Sequence, residues 1–453
     1  MTWDRPPAPF DLLSQIAGDS EIQAIFSERA VIDGWLRTEV ALASAQAELG
    51  ILPRHVRDAL AAAADADRID RERLWDETRV VGYPILPLVR QLDALLPPAS
   101  RGTTHLGATT QDVMDTGLVL QLTAASDHLI GLLDRIGDLL AQRAVEHVRD
   151  IMPGRTHAMH AVPTTFGAKL AGYLDDFTHH RARAIQTRRG VATISLYGAG
   201  GTSAAYGEQS QQIRRLAAAE LGLEAGDVPW HVSRGRLAEW AQSWILTIGT
   251  AARFAREVID LSRNEIAEVS ERQGHHRGAS STMPQKRNPI TSETIVGCSI
   301  IAGALSAAVA RIMEPGHERA AGEWHAEWFV LPTLASLAGA SLSGMVDLVT
   351  GMQIDADRMR ADLDLDHGLI MAEAYMIGLA PAFGRERAHD VVYEAAQTSR
   401  SENIGLLDAL VRTVPRDQLD AVHSIDPAAY VGEAPHVVET AVAAWTAGKG
   451  PVR

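Results

Sequence analysis

Between Asp112 and Pro153 no proline interrupts a run in which Leu118, Leu122, Leu129, Leu132, Leu133, Ile136, Leu139 and Leu140 recur at helical spacing. That periodicity predicts one helix far longer than the ~10–14 residues usual in globular proteins. A second long helix is expected from about Leu237 to Val269, through Trp240, Trp244, Ile248, Ala252, Ala255, Ile259 and Leu261. A third is expected over Ile290–Met313 and a fourth between Pro332 and Met352. Helices of this length need one another to bury their apolar faces, so the expected class is all-α, built on an elongated central helical bundle. Aromatics make up only 5% of the chain while Ala and Leu abound, which favours close helix-on-helix packing over sheets.

The 453 residues exceed one ordinary core. Breaks near residues 53 and 98, and a change of pattern near Asp355, predict three parts. These are an N-terminal helical domain over 1–111, the long-helix domain over 112–354, and a C-terminal helical domain over 355–453. In the first part Ile22, Ile25, Phe26, Ile32, Trp35, Leu36, Val40 and Leu42 mark helices. In the last, Met359, Leu363, Leu365, Leu369 and a helix through Ala388–Ala396 do so.

A net charge of -15 argues against nucleic acid as a partner, because a polyanion needs a basic face. The apolar run Thr294–Ala310 approaches the ~20 residues of a membrane span. Glu293 and Arg311 bracket it closely, and Gly, Ala and Ser fill it, so a helix buried in a bundle or between subunits is expected and no membrane. The single cysteine, Cys298, sits in that run and reads as a buried structural thiol, in keeping with a reducing cytoplasm. The opening MTWDRPPAPF carries no basic and apolar signal pattern.

Three polar segments interrupt the helices. In TTHLGATTQDVMDTG, Thr103–Gly117, residues Thr109, Thr110, Gln111 and Asp112 precede an apolar run, as a helix start does. Such an end can bind a carboxylate through its free N–H groups, or can be a cap and nothing more. In PGRTHAMHAVPTTFG, Pro153–Gly167, a polar lead into another helix places His157 and His160 three apart, where they could share a helix face. A structural histidine and an acid/base or substrate-binding histidine both fit. Metal is the weaker reading, since no HExxH pattern and no third ligand accompany them. The third segment, HHRGASSTMPQKRNPITSE from His275 to Glu293, crowds hydroxyl, amide and cationic residues between Gly278 and Pro289. It matches neither a phosphate-binding P-loop nor a nucleophile elbow.

The stretch ASSTMPQKRNP, Ala279–Pro289, resembles the signature G-S-S-x-M-P-x-K-x-N-P of the fumarase/aspartase superfamily. Ala279 departs from the leading glycine, with Gly278 just before it. The other two segments match the superfamily's other two blocks in order. GATTQDVMDTG, PWHVSRGRLAEWA, GHERAAGEWHAEWFVLP and MRADLDLDHGLIMAEA are similar to the 3-carboxy-cis,cis-muconate cycloisomerase branch. GRTHAMHAVPTTFG is more similar to adenylosuccinate lyases, for bacterial cycloisomerases often carry Trp where His157 stands. The earlier histidine of adenylosuccinate lyases has no counterpart in TRVVGYPILP, Thr78–Pro87.

The resemblance implies a fumarase/aspartase-type fold and no cofactor. It implies a small di- or tricarboxylate substrate, and a homotetramer whose active sites are shared by three subunits. It implies that a proton is removed beside a carboxylate and that the resulting dianion is stabilised electrostatically. Ser280 matches the catalytic serine, acting as an alkoxide base, and His157 the acid that protonates the leaving group. Thr109, Thr110, Gln111, Lys286 and Asn288 are expected to bind substrate, with Thr156 and His105 as weaker contacts. Arg319 would hold a second carboxylate or else form a structural salt bridge. The leading expectation is β-elimination from a 2-substituted succinate, with C–N cleavage and release of fumarate. Lactonising cycloisomerisation, adenylosuccinate-type cleavage and a non-catalytic structural role are the alternatives.

Overall fold

A computed structural model of the chain describes residues 12–419 and 425–449; the segment MTWDRPPAPF lies outside them. The leucine periodicity becomes one helix, Thr110–Glu146. Leu122, Ala125, Leu129, Leu133, Ile136, Leu140 and Ala144 are all fully buried, three or four residues apart, so one stripe of the helix is core throughout. Further long helices are Phe166–Val191, Gly235–Leu261, Ile290–Arg311 and Glu323–Gly351. Among the described residues, β-structure amounts to two small antiparallel pairs, Ile151–Thr156 with Met159–Thr165, and Val269–Ser270 with Gln353–Ile354. The all-α expectation therefore holds.

The chain divides into two compact units. One comprises Met1–Leu133, His180–Ala251 and Gly297–Ser343. Its best-defined apolar cluster joins Ile32, Trp35 and Leu36 with Leu60, Leu74, Leu88 and Val113. The other comprises Asp134–His179, Ala252–Val296 and Gly344–Arg453. Its cluster packs Ile151 among Leu363, Ile370, Tyr375, Leu379, Val392, Leu410 and Leu419. Cys298 is fully buried, and burial pushes its thiol up from the usual range.

Three expectations need correction. The helix through Trp240 ends at Leu261, short of Val269: the chain turns left-handed at Ala267 (φ 56°), and the buried Glu268 returns its N–H to the Leu261 carbonyl at 3.0 Å. The fourth helix begins at Glu323, well before Pro332, which lies inside it. Trp324 and Glu327 are pinned by buried hydrogen bonds in its first turns, and those contacts outweigh the one backbone bond that a proline removes. Residues 151–165, expected as a polar lead into a helix, form a hairpin, so His157 and His160 share no helix face. Pro153 and Pro163 exclude a helix interior there, and Val162, Thr164 and Thr165 suit a strand.

Length and hydropathy alone would let Thr110–Glu146, Ile290–Arg311 and Glu323–Gly351 cross a membrane. The Ile290–Arg311 helix is the least covered, with 22% of its apolar window buried within the chain. Ile300 and Ile301 are exposed on it.

Gly137 shows how tightly the C-terminal helix, Ala434–Gly448, is seated. A Cβ there would come within 2.2 Å of the Trp445 ring. That ring is buried, and its indole N–H donates to Asp138 Oδ1 at 2.9 Å. Gly137→Ala is expected to cost about 1–3 kcal/mol of stability. Gly131→Ala, which meets open space six residues earlier, should be neutral or stabilising. Thermal and urea unfolding of the two variants would check this, and equal behaviour would refute the tight seating.

Candidate active site

The start of the Thr110–Glu146 helix is fixed by its own carboxylate. Asp112 is fully buried and accepts four hydrogen bonds. They come from the backbone N–H groups of Thr109 (3.1 Å), Tyr197 (2.9 Å) and Gly198 (2.9 Å), and from His231 Nε2 at 2.8 Å. A negative side chain in the first helical turn also meets the positive end of the helix dipole. One residue thus ties the helix start to the 195–201 loop and to the PWHVSR block.

One helical turn on, Asp115 continues the network. Arg234 donates to both of its oxygens, at 2.7 and 3.0 Å, and Trp324 Nε1 donates at 3.0 Å. The same guanidinium grips Glu327 from its other side, with Nε at 2.7 Å. All three charged side chains are at most 1% exposed. A single guanidinium faces two carboxylates here. Burial and the nearby Asp115 together push the Glu327 carboxyl up to about 7, against the pull of Arg234.

Gln111 joins this network to Arg319. Its amide donates to Asp115 and to the carbonyl of His231, and its Oε1 accepts from Arg319 Nε at 2.9 Å. Arg319 also donates to the Ala199 carbonyl at 3.0 Å and approaches Thr109 Oγ1 at 3.4 Å. Among the described residues, the hydrogen-bond partners of Arg319 are neutral acceptors, and no carboxylate forms a salt bridge with it. His105, left-handed at φ 64°, pairs with the buried Glu39 through Nδ1 at 2.6 Å. Burial works against its charge, but the Glu39 carboxylate prevails and holds the imidazole above its usual range.

The other unit carries the signature loop. Ser280 Oγ accepts from the backbone N–H groups of Met283 (3.1 Å) and Thr282 (3.3 Å). The loop is pinched at its neck, where both the N–H and the side-chain amide of Asn288 donate to the Gly278 carbonyl, at 2.9 and 3.1 Å. Ala279 bridges Arg287 beside it. Gly278 is required at the pinch, because it is left-handed (φ 66°) and a Cβ would lie 2.4 Å from Asn288 O. A cavity of about 730 Å³ adjoins the loop, with Ser262, Arg263, Arg277, Lys286 and Asn288 in its lining. The base of the loop is anchored by Glu271, which accepts from the N–H and hydroxyl of Ser292 at 2.8 Å each.

The hairpin presents Thr156 and His157 at its exposed tip. His157 (φ 52°) and Ala158 (φ 63°) are both left-handed, as a two-residue type I′ turn demands. Such backbone costs energy at a non-glycine residue and is kept where the surroundings enforce it. His160 pairs with Arg155 across the hairpin and lies 3.9 Å from Asp366. Burial and the Arg155 charge push its imidazole below the usual range.

The expected site residues therefore divide. His105, Thr109, Thr110, Gln111 and Arg319 belong to one unit, where Gln111 and Arg319 interlock. Thr156, His157, Ser280, Lys286 and Asn288 belong to the other. Asp112 was expected at the helix start, but Asp115, Arg234 and Glu327 were not singled out from the sequence. Their only trace there was membership of the blocks DVMDTG, VSRGRL and EWHAEW. No cluster of three or more His, Cys, Asp or Glu among the described residues is arranged to hold a metal ion.

A family model described as lyase matches residues 17–303, and one described as adenylosuccinate lyase C-terminus matches residues 368–441. The chain is 39% identical over 431 residues to 3-carboxy-cis,cis-muconate cycloisomerase of Pseudomonas aeruginosa, covering 93% of this chain and 94% of that protein. It is 33% identical over 439 residues to N-acetyl-S-(2-succino)cysteine lyase of Dickeya dadantii, covering 96% of each. Its fold superposes on the crystal structure of 3-carboxy-cis,cis-muconate lactonizing enzyme from Pseudomonas putida with a TM-score of 0.92. The identity there is 36%, over 97% of this chain and all of that one.

The raised Glu327 carboxyl makes a testable demand on stability. Unfolded, the group releases its proton near 4.5; folded, it keeps the proton to about 7. Stability should therefore drain away as pH rises through that window, by about 3 kcal/mol in all. Glu327→Gln keeps a neutral group at every pH. The melting temperature of wild type relative to this variant should fall between about pH 5 and 8. Parallel curves for the two proteins would contradict the shared-guanidinium account.

Proposed function

The chain belongs to the fumarase/aspartase superfamily of lyases, and from that membership we propose that it eliminates a heteroatom-bound substituent from carbon 2 of a succinate, releasing fumarate. The observation that carries this reading is the pair of backbone N–H groups on Ser280 Oγ. A serine hydroxyl is a poor base, and aimed donors are what lower the cost of its alkoxide.

In this reading Ser280 takes the proton from carbon 3, and the electron pair spreads into the adjoining carboxylate. The resulting dianion is the costly species, so cations and donors placed in advance supply most of the catalysis. Lys286, Asn288, Thr109 and Thr110 are assigned to that charge, with Thr156 and His105 as further contacts. Gln111, with its amide fully engaged, acts by holding Arg319 at the distal carboxylate. As the electron pair returns to form the double bond, the bond from carbon 2 to the substituent breaks, and His157 protonates the departing atom. Nitrogen, as an amine or nitrite, is the first leaving group proposed. The sulfur of a 2-succinyl thioether is the next, which the similarity to N-acetyl-S-(2-succino)cysteine lyase supports. A second reading, lactonising cycloisomerisation of a carboxymuconate, is favoured by the 39% identical relative and by the TM-score of 0.92.

We also propose a homotetramer in the cytoplasm, with each active site assembled from three subunits. The poorly covered apolar face of Ile290–Arg311 supports it.

The test is fumarate release from nitrosuccinate, aspartate, N-substituted aspartates, adenylosuccinate and S-(2-succinyl)cysteine derivatives, with loss of diene absorbance from carboxymuconate in parallel. Fumarate from one succinate, reduced about 10³-fold or more in Ser280→Ala, is the expected result. Diene loss alone would replace the elimination by the cycloisomerase reading. Activity untouched in Ser280→Ala would overturn both.

A further inference from the structure

We propose that the cluster of Arg155 with the buried Glu268 and Asp362 sets the pose of the hairpin that carries His157, making Glu268 a positioning residue for proton transfer. This deepens the reading of His157 as the acid and rests on it.

Arg155 stands two residues before His157 on the strand Ile151–Thr156. Its guanidinium forms a two-point fork with Glu268, Nη1 to Oε2 at 2.9 Å and Nη2 to Oε1 at 2.7 Å. Asp362 lies 4.0 Å from the same guanidinium and is paired with Arg358 at 2.8 Å. Glu268 and Asp362 are at most 1% exposed. Two carboxylates thus meet two guanidiniums, one of them partly exposed.

The backbone alone does not hold the hairpin tip. The strand register shifts between Pro153 and Arg155, and beyond that shift the ladder has two pairs, Arg155 with His160 and Thr156 with Met159. A break in register loosens the coupling between base and tip. The tip itself is left-handed at His157 and Ala158, a conformation that persists only when over-determined. The side chain of Arg155 supplies the missing constraint from the strand's end.

Glu268 is in turn fixed by segments outside the hairpin. Its N–H donates to the carbonyl of Leu261 at 3.0 Å, where the Gly235–Leu261 helix ends, and its carbonyl accepts from Asp355 N–H at 3.0 Å. Asp362 closes the helix Ala356–Asp362. The fork therefore references the His157 hairpin to the chain on both sides of Glu268. Buried ion clusters add little net stability over well-packed apolar groups, so the benefit of this one is geometric. An aligned acid matters because a misplacement of about 1 Å can cost ~10²-fold in rate.

The test is a double-mutant cycle in the full-length enzyme: E268Q, H157N and the pair, read as kcat and KM on the substrate identified by the panel above. Amide exchange over residues 155–160 is followed alongside, independently of turnover. E268Q is expected to lower kcat about 10–100-fold with KM changed less than about threefold. The double variant should be no slower than H157N, and E268Q should exchange faster at the tip while other segments keep their protection. R155K, which keeps the charge and loses the fork, should behave as E268Q does and covers the case in which E268Q fails to fold. Additive losses in the cycle, or wild-type exchange at the tip, would overturn the clamp. Full turnover in H157N would instead be a failure of the acid assignment, and the exchange measurement would still decide whether the clamp exists.

Discussion

Arg234 placed between Asp115 and Glu327 is the constraint on which much of the site depends. Long helices faced with Ala, Leu and Gly pack in many rotations of similar energy, because small apolar side chains discriminate poorly between registers. A fully buried guanidinium with a carboxylate on either side removes that freedom. Any rotation that separates the three leaves an uncompensated charge in the core, a penalty of about 3–5 kcal/mol. The helix carrying Asp115 and the helix carrying Glu327 are therefore fixed at one setting. Gln111 and Trp324, bonded to Asp115, inherit it. Arg319 inherits it from Gln111, so a charge proposed to meet substrate is referenced to the core in two hydrogen bonds.

The chemistry-bearing residues sit at the ends of such constraints and outside regular helix. Ser280 lies in a loop closed at its neck by Gly278 and Asn288, and His157 at the tip of a hairpin. His105 lies in the turn before the Thr110 helix. Each is presented by backbone that a helix could not supply, at left-handed positions in two of the three cases. A rigid helical frame with non-helical presenters suits a reaction whose barrier is mainly the charge of a dianion, because donors must be fixed before that charge appears.

The apolar periodicity made the long helices legible, since a 3.6-residue repeat of leucines has one physical reading. The signature loop was legible because Gly278, two prolines and a cluster of hydroxyl and cationic residues fit no core. The sequence misled where long-range contacts overrode local preference. Pro332 suggested a helix start, yet Trp324 and Glu327 carry the helix through it. His157 and His160 suggested one helix face, yet the prolines at 153 and 163 turn that segment into a hairpin. The Arg234 network had no local signature, because its partners lie 93 and 119 residues away. Gln111 was expected to bind substrate by its place in a motif, and only the structure reveals that Asp115, His231 and Arg319 occupy its amide.

The central proposal, one carbanion site completed by residues from different copies of the chain, is tested most directly by mixing two silent variants. Ser280→Ala and Arg319→Gln each remove a part assigned to a different unit, and mixed tetramers formed after gentle dissociation would contain some sites with both parts intact. The account predicts that turnover of the substrate identified for wild type returns on mixing, up to roughly a quarter of the wild-type rate if subunits assort at random. Mixed tetramers, verified as such by native mass spectrometry, that remain as inactive as either parent would contradict it.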